Sequence, residues 1–235
     1  MMVFLDYDNL EYSTRVKGLH YVAEKIIALV DPSCAKDKRI TIRLYGGWYE
    51  NETITKRAQD LETEIENEFP CTLLMSDNST KIIVNCLLAY SMLADPQFHL
   101  LHTFRSKSIT YGIKAYPIEK HGCMDQECPL PIIYDFIEHQ KCPKCGKVKL
   151  KDFLYKKEQK LVDSMLIADM LHIANREKYI CIVSSDDDFW PGIRSVVACG
   201  CTLIHIKEKL STASSLYTKG LDSHYIYKLL NNNAI

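Results

Sequence analysis

The chain predicts an α/β fold: a mostly parallel central sheet with helices on both faces, interrupted by a small cysteine-bearing insertion. Two observations carry the prediction. Apolar, β-branched runs alternate with amphipathic stretches along most of the 235 residues, the pattern of strand–helix–strand units. That alternation stops between about Pro117 and Asp152, where cysteines and lysines replace it. The core domain is therefore expected over 1–116 and 153–235, with an insertion over 117–152.

In chain order, residues 2–6 read as a first strand, and Leu19 to Val30 as an amphipathic helix ended by Asp31-Pro32. Arg39 to Tyr45 is β-branched and alternating, and Gly46-Gly47 breaks it. Ile54 to Phe69 predicts a charged surface helix, Cys71 to Met75 a strand, and Lys81 to Leu93 a helix closed by Asp95-Pro96. Phe98 to Tyr116 fits strands or loop. Glu158 to Asn175 predicts a helix with Leu161, Met165, Ala168, Leu171 and His172 on one face. Tyr179 to Val183 is a buried strand, Phe189 to Ala198 a helix, and Thr202 to Ile206 another buried strand.

With 47% hydrophobic residues the chain can bury a proper core, and its apolar runs are too short and too interrupted to span a bilayer. It begins directly with a strand, without a basic region or cleavage site, so a cytoplasmic protein is expected. The formal charge of −1 hides a local asymmetry: eight lysines lie between Lys141 and Lys160 against Asp152 and Glu158. Such a run, including Lys147, Lys149, Lys151 and Lys160, can follow a nucleic-acid backbone or simply form a solvated surface.

Of the ten cysteines, Cys34, Cys71, Cys86, Cys181, Cys199 and Cys201 sit in or beside apolar segments and read as core or near-core thiols. The others form two pairs, Cys123-x4-Cys128 and, after thirteen residues, Cys142-Pro143-Lys144-Cys145-Gly146. This spacing meets the tetrahedral requirement of Zn²⁺ and predicts a zinc-ribbon-like segment, with His121 and His139 as substitute ligands. Four thiolates leave no open position, so the zinc would be structural.

Acidic residues stand at three distant places: Asp6 and Asp8 after the first strand, Asp163 and Asp169 on a helix, and Asp186, Asp187 and Asp188 after a buried strand. Any one could be a helix cap or turn residue. Gathered together, they would repel unless protonated or bound to divalent cations. Residues just past the carboxyl ends of parallel strands line the ligand crevice of such folds. The pattern predicts a metal-dependent enzyme acting on phosphate esters.

Three segments, Phe4-Leu5-Asp6-Tyr7-Asp8-Asn9, Lys160-Leu161-Val162-Asp163 and Ser184-Ser185-Asp186-Asp187-Asp188-Phe189, resemble the NYN domains of the PIN-like nuclease superfamily. Asp6 and Asn9 match the first motif, Asp163 the second, and Asp186 and Asp188 the acids of the third. Ser185 and Asp187 stand where glycines are usual. The resemblance implies a nuclease that uses Mg²⁺ or Mn²⁺ and acts on RNA more often than DNA. Asp6, Asp163 and Asp186 would hold one ion, and Asp188 or Asp187 would help hold a second or orient water. Asn9 would fix a water or phosphate. Lys160, from its place just before the helix that carries Asp163 and not from the resemblance, reads either as a phosphate contact or as an ordinary exposed helix lysine. Asp169, about 240° around the helix from Asp163, would act from farther out. Two other readings remain: a non-catalytic zinc-ribbon adaptor for nucleic acid, and a phosphatase resembling the haloacid dehalogenases. The phosphatase pattern wants Thr or Val where Leu10 stands.

Overall fold

The computed structural model describes all residues except 36, 51, 102, 109–112, 118–126, 160, 210–216, 222 and 231–235, and describes only the backbone of 104–108 and 156–158. The chain divides into two compact units, Met1–Thr103 with Lys160–Ile235, and Phe104–Gln159.

The first unit opens with strand β1 (Met2–Asp6), a short helix α1 (Tyr12–Arg15), helix α2 (Leu19–Ile27) and strand β2 (Arg39–Tyr45). A two-stranded turn, β3 (Tyr49–Glu50) with β4 (Thr53–Ile54), leads to helix α3 (Lys56–Glu68), strand β5 (Cys71–Leu74) and strand β6 (Lys81–Leu88). A second small hairpin, β7 (Ser91–Met92) with β8 (Asp95–His99), ends this half. The second unit holds β9 (Phe104–Ser108), α4 (Leu130–His139), α5 (Leu150–Phe153) and β10 (Tyr155–Gln159). The chain returns through helix α6 (Val162–Ala174), β11 (Tyr179–Val183), α7 (Trp190–Ala198), β12 (Thr202–Lys207) and β13 (Tyr225–Leu229).

The seven-stranded sheet runs β13-β12-β11-β1-β2-β6-β5, parallel throughout except for the β5–β6 pair. Successive side chains of a strand point to opposite faces. Val3 and Leu5 therefore enter the core layer beneath α2 and α3, while Phe4 joins Ile180, Ile182 and Leu203 beneath α6 and α7. Starting at β1, the chain winds outward through β2 and β6, then crosses back to β11 and winds the other way. The direction of winding reverses between β1 and β11, which is where an open α/β sheet leaves a crevice.

Two expected helices need correction. Residues 81–88 form strand β6, with Ile82, Val84, Cys86 and Leu88 buried and their alternates exposed. The two-residue period and the Ile82-Ile83-Val84 run favour a pleated strand, and pairing with β2 and β5 fixes it. The helix expected from Glu158 begins at Val162, because 155–159 pairs antiparallel with 104–108, a partner some fifty residues earlier in the chain. Its buried face is also rotated from the expected one, comprising Val162, Met165, Leu166, Asp169 and Met170, with Leu161 and Ala168 exposed.

The Gly46-Gly47 break has a steric cause. A Cβ on Gly46 would come within 2.6 Å of the Trp48 ring, so only glycine lets that indole fold back over the end of β2.

Candidate active site

The site is assembled where β1 and β11 end side by side. Leu5 pairs with Val183, so the next residues, Asp6 and Ser184, emerge together at the carboxyl edge. The Ser184 hydroxyl donates to Asp6 Oδ2 at 2.8 Å and its oxygen accepts from the Asp186 amide at 3.1 Å, stitching the two strand ends. Asp186 caps the following turn, its Oδ1 accepting from the Asp188 amide at 2.9 Å. Asn9 joins the two segments from the other side, its Oδ1 accepting from the Ser185 amide at 3.0 Å. Asp163 lies in the first turn of α6 and is exposed, at a helix end whose dipole favours a carboxylate.

Asp6 is 5% exposed. Burial raises its pKa to about 7, the Ser184 hydrogen bond opposes this, and the negative charges of Asp163, Asp8 and Asp186 raise it further. Three separated sequence segments thus project their acids into one electrostatic field. Hard oxygen donors in this setting suit a divalent cation. Among the described residues, no group of three or more His, Cys, Asp or Glu side chains is already drawn together around a metal position.

Three of the remaining acids, Asp8, Asp187 and Asp169, have other partners. Asp8 Oδ2 accepts from the Gly47 amide at 2.9 Å, and the Arg57 guanidinium sits 2.5 Å from its Oδ1 and over the Trp48 ring. Asp187 Oδ1 accepts from Trp190 Nε1 at 3.1 Å and from Lys207 Nζ at 3.0 Å. Lys207 is completely buried, so Asp187 supplies its counter-charge. Asp188 is exposed. Asp169 is 1% exposed, accepts from Tyr45 Oη and the Leu93 amide at 2.7 Å each, and pairs with Arg43 at 3.4 Å.

Sequence reasoning passed over the residues that hold the acids in place. Ser184 is the central one. Beneath it, His205 Nε2 donates to the Ser184 carbonyl at 3.0 Å, which leaves Nδ1 to accept from Tyr225 Oη at 2.9 Å. Burial pushes the His205 pKa down to about 4, so this ring is the neutral tautomer. Glu208 follows Lys207, accepts from the Glu11 amide at 2.7 Å, and donates its own amide to Ser185 Oγ at 3.1 Å. A lysine that ends a buried strand, followed at once by a glutamate, was the available signal.

In the second unit, Cys142 and Cys145 share a tight turn. The Gly146 amide donates to the Cys142 carbonyl at 2.9 Å, Gly146 has φ +64°, and the Cys142 amide donates to the Val148 carbonyl at 2.9 Å. The Val148 and Lys147 amides donate to the Cys145 sulfur and hold its pKa below the ordinary value, with Cys142 adding to the effect. Cys128 is half-buried, and Cys123, His121 and Lys160 lie outside the described residues. His139 pairs with Asp135 at 3.0 Å on α4. Lys147, Lys149 and Lys151 are exposed.

The mostly parallel seven-stranded sheet with helices on both faces is consistent with a PIN-like α/β fold. A model of the NYN domain family matches residues 113–225, a little under half of the chain. The matched span contains Asp163 and Asp186 to Asp188 and begins after the strand that carries Asp6. The match supports a nuclease, and so a hydrolase, acting on nucleic acid. Comparisons with curated proteins and with solved structures gave no match. Among the described residues, no helix is long and apolar enough to cross a membrane.

Proposed function

We propose that the protein is a metal-dependent endoribonuclease whose Asp6, Asp163 and Asp186 hold a Mg²⁺ or Mn²⁺ ion. The observation that carries this reading is the buried Asp6, whose pKa is raised to about 7 by burial and by the charges of Asp163, Asp8 and Asp186 from three separate segments. A bound cation would relieve that repulsion, polarise a phosphoryl oxygen and lower the pKa of water. The protein's own residues supply the frame. Ser184 orients Asp6, Asn9 braces the Ser185 turn and keeps its amide nitrogen for a phosphate or water, and exposed Asp188 stands open to orient the nucleophile. Asp187 we assign to a structural role, since its Oδ1 is shared by Trp190 and the buried Lys207.

The engagement of Asp8 with Gly47 and Arg57 disfavours the phosphatase reading, which needs the second Asp as a free acid/base. Labelled single-stranded RNA, single-stranded DNA and a small phosphate ester, each incubated with Mn²⁺, test the proposal. Cleavage of RNA alone is expected; release of phosphate from the ester would favour the phosphatase.

The zinc expectation enters here too. The Cys142–Cys145 turn presents amide donors to sulfur and a glycine at positive φ, features that suit a thiolate ligand pair. Freshly purified reduced protein should carry about one Zn²⁺ per chain, with Cys123 and Cys128 completing the set. Elemental analysis showing none would remove it and leave the pair as ordinary reduced cysteines.

The lysine run is assigned to guiding the nucleic-acid backbone, since it ends in sequence at Lys160, beside the helix that carries Asp163. Neutralising Lys147, Lys149 and Lys151 together should weaken substrate binding and flatten its salt dependence by about two to three counterions. Cut positions should stay where they are, because phosphate contacts carry no sequence information. An unaltered salt slope would reduce the run to a solvated surface.

A further inference from the structure

The carboxyl edge of the sheet carries a second feature, on the β2–β6 side of the acids. Tyr49 follows the end of β2 and Tyr90 follows the end of β6, so parallel pairing of these strands delivers both rings to the edge where Asp6 emerges from neighbouring β1. His99, at the end of β8, completes the group. Its ring lies nearly parallel to that of Tyr90, 15° between planes and 5.8 Å between centroids. The Tyr49 ring meets Tyr90 edge-on at 5.3 Å and tilts against His99 at 5.9 Å.

Every member is pinned. Tyr49 Oη and His99 Nδ1 are 2.7 Å apart, and Tyr90 Oη donates to Glu62 at 2.6 Å. The Leu100 amide donates to the Tyr90 carbonyl at 2.8 Å, and Thr103 Oγ1 donates to the Tyr49 carbonyl at 2.7 Å. Tyr49 is buried, Tyr90 is half-buried and His99 is exposed. A polar ring fixed in solvent on an aromatic stack gains little for the fold, since it remains wet and has already lost its rotamer freedom. The same properties suit a stacking platform: the flat surface is preformed, so a partner ring docks without ordering it. The platform and the acids share one end of the sheet: Trp48, next to Tyr49, packs on Tyr7, next to Asp6, with ring centroids 6.1 Å apart, and the Gly47 amide donates to Asp8.

We propose that His99, backed by Tyr90 and Tyr49, is a stacking platform for an unpaired nucleobase, which makes single-stranded nucleic acid the substrate of the adjacent acids. The proposal rests on the nuclease reading for the word substrate, but its test does not. A paired base inside a duplex cannot present its face to the platform, whereas a splayed single strand can.

The test is equilibrium binding by the full chain, in buffer without divalent cations so that nothing is cut. The probes are a fluorescent single-stranded oligoribonucleotide containing 2-aminopurine and a duplex of the same length. His99→Ala should weaken single-strand binding about five- to a hundredfold, abolish quenching of 2-aminopurine, and leave duplex binding unchanged. His99→Trp should restore both affinity and quenching, which a merely structural role for His99 would not predict. Unchanged single-strand affinity in His99→Ala, or an equal loss for single strand and duplex, would overturn the platform. A chain that binds in this His99-dependent way yet cuts nothing with Mn²⁺ would keep the platform and remove the nuclease reading. One that cuts normally but ignores His99 would do the reverse.

Discussion

Replacing Asp6, Asp163 or Asp186 with Asn should each remove nearly all cleavage at saturating Mn²⁺ while leaving the domain folded. An amide preserves shape and loses the charge that holds a hard cation. Asp6 allows a sharper form of the expectation because its pKa is raised from 3.8 to about 7, burial being the main cause. A carboxylate raised in this way favours the folded state fully below its unfolded pKa, and that favour is lost as pH rises through the folded value. Above pH 7 the metal-free wild type therefore carries an ionised, buried Asp6 at a cost of roughly 4 kcal/mol, at about 1.4 kcal/mol for each pKa unit. Metal-free Asp6→Asn should melt above wild type at pH 8, and the gap should shrink at pH 5. Metal binding by the wild type should release a proton near neutrality, and Mn²⁺ affinity should climb as pH rises from 5.5 to 7.5. Wild-type cleavage rates in the three variants would end the catalytic assignment. Identical melting curves at pH 8 would end the electrostatic account of Asp6.

The second large effect belongs to Asp169. Its carboxylate receives Tyr45 Oη and the Leu93 amide and faces the buried Arg43, which also donates through Nε to Tyr45 Oη at 3.1 Å and through a terminal nitrogen to the Ser91 carbonyl. The network ties α6 to β2 and to the β7–β8 hairpin. Asp169→Ala leaves the Arg43 charge buried without its counter-ion, so a loss of about 3–5 kcal/mol is expected. For a chain of this size the melting temperature should drop by about 6–20 °C. The folded fraction should still cleave, because both oxygens of Asp169 are engaged by Tyr45, Leu93 and Arg43. A normal melting temperature together with lost cleavage would instead place Asp169 in the metal site.

Much of this protein is written locally. The ends of β1, β2 and β11 follow from apolar runs stopped by Asp6, Gly46 and Ser184, since backbone breakers and buried strands need no distant information. The acids, too, were legible as strand-end and helix-start residues, because chemistry at such positions is confined to a few residue types. The helical reading of Lys81 to Leu88 failed because short apolar runs are ambiguous, and only pairing with β2 and β5 settles them. The strand Tyr155–Gln159 was invisible because its partner is remote in sequence. The different employments of the aspartates were likewise beyond local reading. Asp187 and Asp169 look like Asp186 and Asp163 in sequence, but buried Lys207 and Arg43 claim them, and a buried charge takes the nearest counter-charge the fold brings to it. The sequence by itself determined the layered α/β class and the three acidic segments. Tertiary structure alone decided that Ser184 bonds Asp6 and is backed by His205, that Lys207 and Arg43 claim Asp187 and Asp169, and that Tyr49, Tyr90 and His99 meet. Those outcomes depend on strand order, and strand order is set by the packing of elements far apart in the chain.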